Sequence, residues 1–155
     1  LTRGATLRAE ISGWSQSFDA ELADGAGLEQ ALRLTLARAD VPASRLDFAL
    51  TSPRGERGAD GCEASALRRV FGNTMPPIGA MAARGEASGG LLSVAMAVQA
   101  LQQGRLPAPG GALAGLGAPW LNAPAEGPFR TGLIAGSGRN GSHAAVLIRK
   151  PAMAE

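Results

Sequence analysis

A chain of 155 residues, 45% of them apolar by the broad count, holds enough hydrophobic side chains for the core of one compact domain. Its 15 basic and 13 acidic residues leave a formal charge of +2, and the bases, nearly all Arg, are spread along the chain, so no nucleic-acid-binding stripe forms. Cys62 is the only cysteine, which excludes an intrachain disulfide, a CxxC zinc pair and a dithiol redox pair, and favours a reducing, cytoplasmic setting.

Leu1 to Glu10 carries charges among isolated apolar residues and lacks the unbroken apolar run of a secretory signal. Within it, the alternation in TLRAEIS predicts a strand over Thr6 to Ser12. GLEQALRLTLARAD predicts a helix, with Leu28, Ala31, Leu32, Thr35, Leu36 and Ala39 on one face. LDFALTS, Leu46 to Ser52, follows as a second strand. Strand, helix and strand make the unit of a parallel sheet.

A helix is expected from about Asp60 to Phe71, with Asp60 as its N-cap, Gly72 closing it, and Arg68 and Arg69 complementing the dipole of its last turn. After a short apolar stretch at Pro77 to Ala80, residues Ala87 to Gly104 run for 18 positions without a charge. That length reaches the threshold of a membrane-spanning candidate. Its glutamines at 99, 102 and 103, two serines and three glycines argue instead for a helix inside a layered α/β core, covered by protein on most sides. Residues 105–130 hold five of the ten prolines and read as a long surface connection pinned by Leu116, Trp120 and Leu121.

The C-terminal region gives the clearest local signal. RTGLIAGS and SHAAVLIRK are apolar runs separated by a turn containing Asn140 and Gly141, so a β-hairpin is expected at the core of the sheet. The turn sequence GSGRNG, 136–141, also satisfies the GxGxxG pattern. A dinucleotide site needs a helix after the last glycine, whereas a strand follows here, so no nucleotide is implied.

Taken in order, five segments resemble the C-terminal half of a β-ketoacyl synthase of the thiolase-like fold: LTRGATLRAEISGW, GLEQALRLTLARADVPASRLDFAL, the set Asp60, Glu63, Ala66, Leu67, Val70, Phe71 and Gly72, ASGGLLSVAMAVQALQQGRLPAP, and GSGRNGSHAAVLI. The resemblance implies an α/β architecture, a layered sheet with a buried central helix and a C-terminal hairpin. That family condenses acyl groups with a Cys nucleophile and two histidines that assist decarboxylation and stabilise an oxyanion. By the same resemblance the Cys belongs to the N-terminal half of the fold.

Counting back from Glu63, the first family histidine falls on Ser52; counting back from Gly104, the second falls on Arg84, or near Glu86 with another gap placement. A hydroxyl does not replace an imidazole near pH 7, and a guanidinium can hold an anion without relaying a proton. Ser137 and Arg139 stand where the family places gating phenylalanines, and His143 stands where it places an Asn. All six positions read as degenerate active-site positions, and no catalytic residue, cofactor or metal is assigned.

The pattern resembles the chain length factors, silent ketosynthase-like subunits of type II polyketide or related fatty acid systems. It implies three partners: a chain carrying the N-terminal half, a catalytic ketosynthase subunit and an acyl carrier protein, with neither nucleic acid nor membrane. Two alternatives stand beside it: part of an active acyl-transferring or condensing enzyme whose Cys lies on a partner chain, and a module kept for assembly alone. Plain readings remain for single residues. His143, the only histidine, reads as a hydrogen-bonded structural residue, Cys62 as a small packing residue, and Asp60 and Glu63 as capping and dipole groups. Arg84 and Glu86 precede a helix N-terminus and are the best candidates for a site.

Overall fold

The structure, a computed structural model, describes residues 4–20, 24–81, 89–109 and 119–151. In chain order the elements are β1 (Glu10–Phe18), α1 (Ala26–Ala39), β2 (Phe48–Thr51), α2 (Arg57–Phe71), β3 (Ile78–Ala80), α3 (Gly89–Gln103), β4 (Arg105–Leu106), β5 (Ala125–Glu126), β6 (Thr131–Ser137) and β7 (Ser142–Arg149). Five strands form one sheet in the order β1-β7-β6-β2-β3, while β4 and β5 pair in a small second sheet. β2 is parallel to both β3 and β6, whereas β7 is antiparallel to β6 and to β1. β1 and β2 therefore run in the same direction but are not neighbours; the hairpin lies between them.

The sheet is sandwiched. On one face α1 and α2 bury Leu28, Leu32, Leu36, Leu67 and Phe71 against Ala49, Leu133, Ala145 and Leu147. On the other, α3 buries Ala97, Ala100 and Leu101 against Phe48, Leu50, Ile134 and Ile148. The period-two alternation of the strands sorts these sets: Phe48 and Leu50 face α3, while Ala49 faces the α1 and α2 side. Gly132 is required by this packing, because a Cβ there would lie 2.2 Å from the Phe48 ring.

Two expectations are corrected by the structure. The first strand spans Glu10–Phe18, not Thr6 to Ser12. Its inward positions are small because α1 approaches closely: a Cβ on Gly13 would lie 2.8 Å from the Thr35 carbonyl. Ser15 Oγ donates to the Ala31 carbonyl at 2.6 Å, and Ser17 Oγ donates to that of Gly27 at 2.6 Å. The large apolar side chains of β1, Ile11, Trp14 and Phe18, are exposed instead. The usual inside-outside pattern is inverted on this edge strand.

The second correction concerns α2, which begins three residues before Asp60. Asp60 is buried and its Oδ1 accepts the Arg54 N–H at 2.8 Å, fastening the preceding loop rather than capping the helix. Gly72 does close α2, at φ 50°, with its N–H bonded to the Arg68 carbonyl. In this chain α3 is covered by the sheet on one side, with Leu91 81% exposed and Leu92 also facing outward.

The hairpin forms as expected, with Gly141 at φ 84° in its turn and β6 at the centre of the sheet. GSGRNG is that turn, and no helix follows it. In the proline-rich connection Leu106 and Trp120 are buried; Leu116 lies outside the described residues. No described helix is long and apolar enough to cross a membrane.

Candidate functional site

A cavity of about 60 Å³ opens at the carboxyl ends of β2 and β6, between the N-terminal turns of α1 and α2. This is where α/β sheets commonly hold ligands, because loops diverge there and helix N-termini converge. β2 ends at Thr51 with Ser52 following it, β6 ends at Ser137, His143 stands opposite Ser137 in β7, and α2 contributes Asp60 and Glu63.

Two buried polar atoms at this site have no hydrogen-bond partner: Glu63 Oε1 and His143 Nε2. Glu63 is 6% exposed and His143 5%. Burial pushes the Glu63 carboxyl from 4.5 up to about 7, against the opposing pull of its hydrogen bond with Thr51, while Asp60 raises it further and Arg54 lowers it. Thr51 Oγ1 also accepts the Trp120 indole N–H at 2.8 Å, so a chain of polar contacts runs from Trp120 through Thr51 to Glu63. Burial also holds the His143 imidazole below its ordinary value, partly offset by the charge of Asp19, with Arg54 acting in the same direction as burial. Near pH 7 this ring is neutral.

His143 Nδ1 and Ser137 Oγ lie 2.8 Å apart. The Arg54 guanidinium donates to the Ser137 carbonyl and ties the β2–α2 loop to the hairpin. A second tie lies at the surface, where Arg139 Nη2 meets Glu56 Oε1 at 2.7 Å. This arrangement offers a hydroxyl, a neutral imidazole, a guanidinium and a half-titrated carboxyl around one small space. Among the described residues, no group of three or more His, Cys, Asp or Glu side chains is placed to hold a metal ion.

Of the six positions singled out in the sequence, the structure brings Ser52, Ser137 and His143 together around the cavity. Arg139 is exposed in its ion pair with Glu56 and does not line it. Arg84 and Glu86 lie outside the described residues. Cys62 lines the cavity half-buried rather than serving as core packing. Glu63 is the residue that sequence reasoning undervalued. Asp60, Glu63, Ala64, Leu67 and Phe71 all fall on the buried stripe of α2, at helical spacing. An acid on the apolar stripe was the available signal.

The sheet order, the flanking helices and the terminal hairpin define an α/β domain of the thiolase-like class, in its C-terminal half. Residues 8–110 match the family described as β-ketoacyl synthase, C-terminal domain. The chain belongs to that family. It is 30% identical, over 91% of its length, to a Streptomyces coelicolor protein described as actinorhodin polyketide β-ketoacyl synthase 2.

Among solved structures it resembles the ishigamide ketosynthase/chain length factor (TM-score 0.83, 22% identity). It also resembles a chain in the structure of a type II polyketide synthase acyl-carrier protein in complex with its ketosynthase bound to the hexaketide (0.81, 19%). A third is a β-ketoacyl synthase from Burkholderia phymatum (0.76, 20%). Each structural match covers 97% of this chain. The chain spans 37% of the Streptomyces protein's length and 40% of the matched chain in each structure.

Proposed function

We propose that this chain is the C-terminal part of a chain-length-factor-like subunit, silent in decarboxylative condensation, that pairs with an active ketosynthase of a type II polyketide or related fatty acid system and shapes the acyl tunnel. The observation that carries the reading is the chemistry at the carboxyl ends of β2 and β6. The position matching the family's first histidine is Ser52, which lines the cavity with no imidazole beside it other than the buried His143. Condensation needs proton transfer and oxyanion stabilisation at that place, and a serine hydroxyl supplies little of either at neutral pH. The Streptomyces relative belongs by its description to a polyketide system, and a structural neighbour is a ketosynthase/chain length factor pair.

The partner inference has its own support. Ile11, Trp14 and Phe18 of β1 share the α3 side of the sheet with Val146 and Ile148, and Leu91 and Leu92 project from α3. Apolar side chains exposed in such a group mark an interaction surface. The companion half of the fold is the covering body, and through it the subunit meets ketosynthase and carrier protein.

The test is reconstitution with ketosynthase and malonyl-loaded carrier protein. With the two decarboxylating histidines of the ketosynthase replaced by Ala, carbon dioxide release is expected to stop, while replacing this subunit is expected to alter product chain length. Release that persists and depends on Ser52 would overturn the reading.

A further inference from the structure

The Ser137–His143 contact has features that tunnel shaping does not use. The two residues are register partners across the β6–β7 ladder, so backbone hydrogen bonds fix the 2.8 Å separation of Oγ and Nδ1. With the hydroxyl donating to Nδ1, the ring hydrogen resides on Nε2. A third residue lies on the Nε2 side. A Cβ built on Gly27 would lie 2.6 Å from both Asp19 Cβ and His143 Cδ2, and 2.7 Å from Nε2. Gly27 thus leaves open a small space between the Asp19 Cβ and the Cδ2–Nε2 edge of the ring, and Nε2 itself has no hydrogen-bond partner, so Asp19 acts on the ring through its charge. The charge of Asp19 favours the protonated ring, while burial keeps the resting ring neutral, and Arg54 is the other charged group acting on it. Access is present too: Ser52, Arg54, Ser137 and Gly138 are half-buried and Ala59 is exposed, so the cavity meets the surface.

We propose that Ser137 is an acyl-accepting nucleophile, with His143 as its base and the charge of Asp19 stabilising the protonated ring, acting on a small activated acyl ester or thioester. Ser137 Oγ attacks the acyl carbonyl carbon as Nδ1 takes the hydroxyl proton. The C–S or C–O bond then breaks, and the departing thiolate or alkoxide takes that proton from Nδ1, leaving a serine ester. Water repeats the sequence: Nδ1 takes its proton, the ester bond breaks, Ser137 regains its hydrogen and the acyl group leaves as a carboxylic acid. Arg54 is the one cationic side chain among the described residues lining the cavity, and it would stabilise the developing oxyanion. The hydroxyl and imidazole form a nucleophile–base pair, while Asp19 contributes charge and not a hydrogen bond to Nε2. No carbon–carbon bond forms and no carbon dioxide is lost, so the activity is compatible with silence in condensation. Only the choice of a thioester rests on that reading.

The experiment treats the full-length protein with a fluorophosphonate probe and maps the adduct by peptide mass spectrometry, alongside p-nitrophenyl acetate hydrolysis. One adduct is expected, on the peptide holding Ser137, absent in Ser137→Ala. His143→Gln should slow labelling at least about 100-fold. Asp19→Asn should slow it at least about tenfold and move the midpoint of the rate–pH profile downward. Ser65→Ala, at an exposed hydroxyl of α2 outside the cavity, should label like the wild type. An unlabelled wild type, an adduct retained in Ser137→Ala, or His143→Gln labelling at the wild-type rate would overturn the proposal. Should His143→Gln fail to fold, Asp19→Asn decides, and unchanged labelling in it overturns the proposal equally. Carbon dioxide release from a malonyl thioester would refute the non-condensing reading and leave this one standing.

Discussion

Replacing Glu63 by Gln tests the electrostatics of the cavity. The carboxyl is raised from 4.5 to about 7 in the folded chain, and burial is the main cause. Between those two values the unfolded chain has lost the Glu63 proton while the folded chain retains it, so stability must fall as pH rises. The stabilisation is complete below the unfolded value and gone once pH has passed the folded one. Integrated over the window, the shift corresponds to about 3 kcal/mol. Glutamine keeps the shape and never titrates.

Urea denaturation of wild type and Glu63→Gln at pH 4.5, 6 and 8 reads the effect directly. Relative to the wild type, the variant should gain about 3 kcal/mol between the lowest and highest pH. Whatever constant penalty the amide incurs at the unpaired Oε1 position cancels in that comparison, as does the titration of His143. A difference between the two proteins that stays flat within about 0.5 kcal/mol across the range would refute the argument.

Other perturbations probe other links. Thr51→Val removes the acceptor of the Trp120 indole and the partner of Glu63; it should cost about 1–3 kcal/mol and shift Trp120 emission, measured in a Trp14→Phe background. Gly132→Ala drives a methyl into the Phe48 ring and should destabilise by about 1–3 kcal/mol in the same urea assay. Leu91→Asp, at an exposed position, should leave the melting temperature of this chain within about 2 °C while weakening its association with the companion half at least about tenfold by titration calorimetry. A large drop in melting temperature would place Leu91 in this chain's own core instead.

Much of the fold was written locally. The amphipathic face of α1, the all-buried run Phe48–Thr51 and the Asn140–Gly141 turn between two apolar strands depend on periodicity and turn chemistry, which neighbouring residues specify. The ordered segments likewise pointed to the family. β1 escaped the same reading because its inward face is made of Gly13, Ser15 and Ser17, selected by the closeness of α1 and not by hydrophobicity.

The sequence by itself therefore determined which segments form most of the elements and to which family they belong. Only the tertiary structure decided that Ser52, Ser137, His143 and Glu63 surround one cavity, and that Glu63 is a buried carboxyl titrating near neutrality rather than a helix-dipole group. The reason is physical: periodicity and caps act over a few residues, whereas desolvation and the pairing of polar atoms depend on what strands and helices far apart in the chain bring alongside.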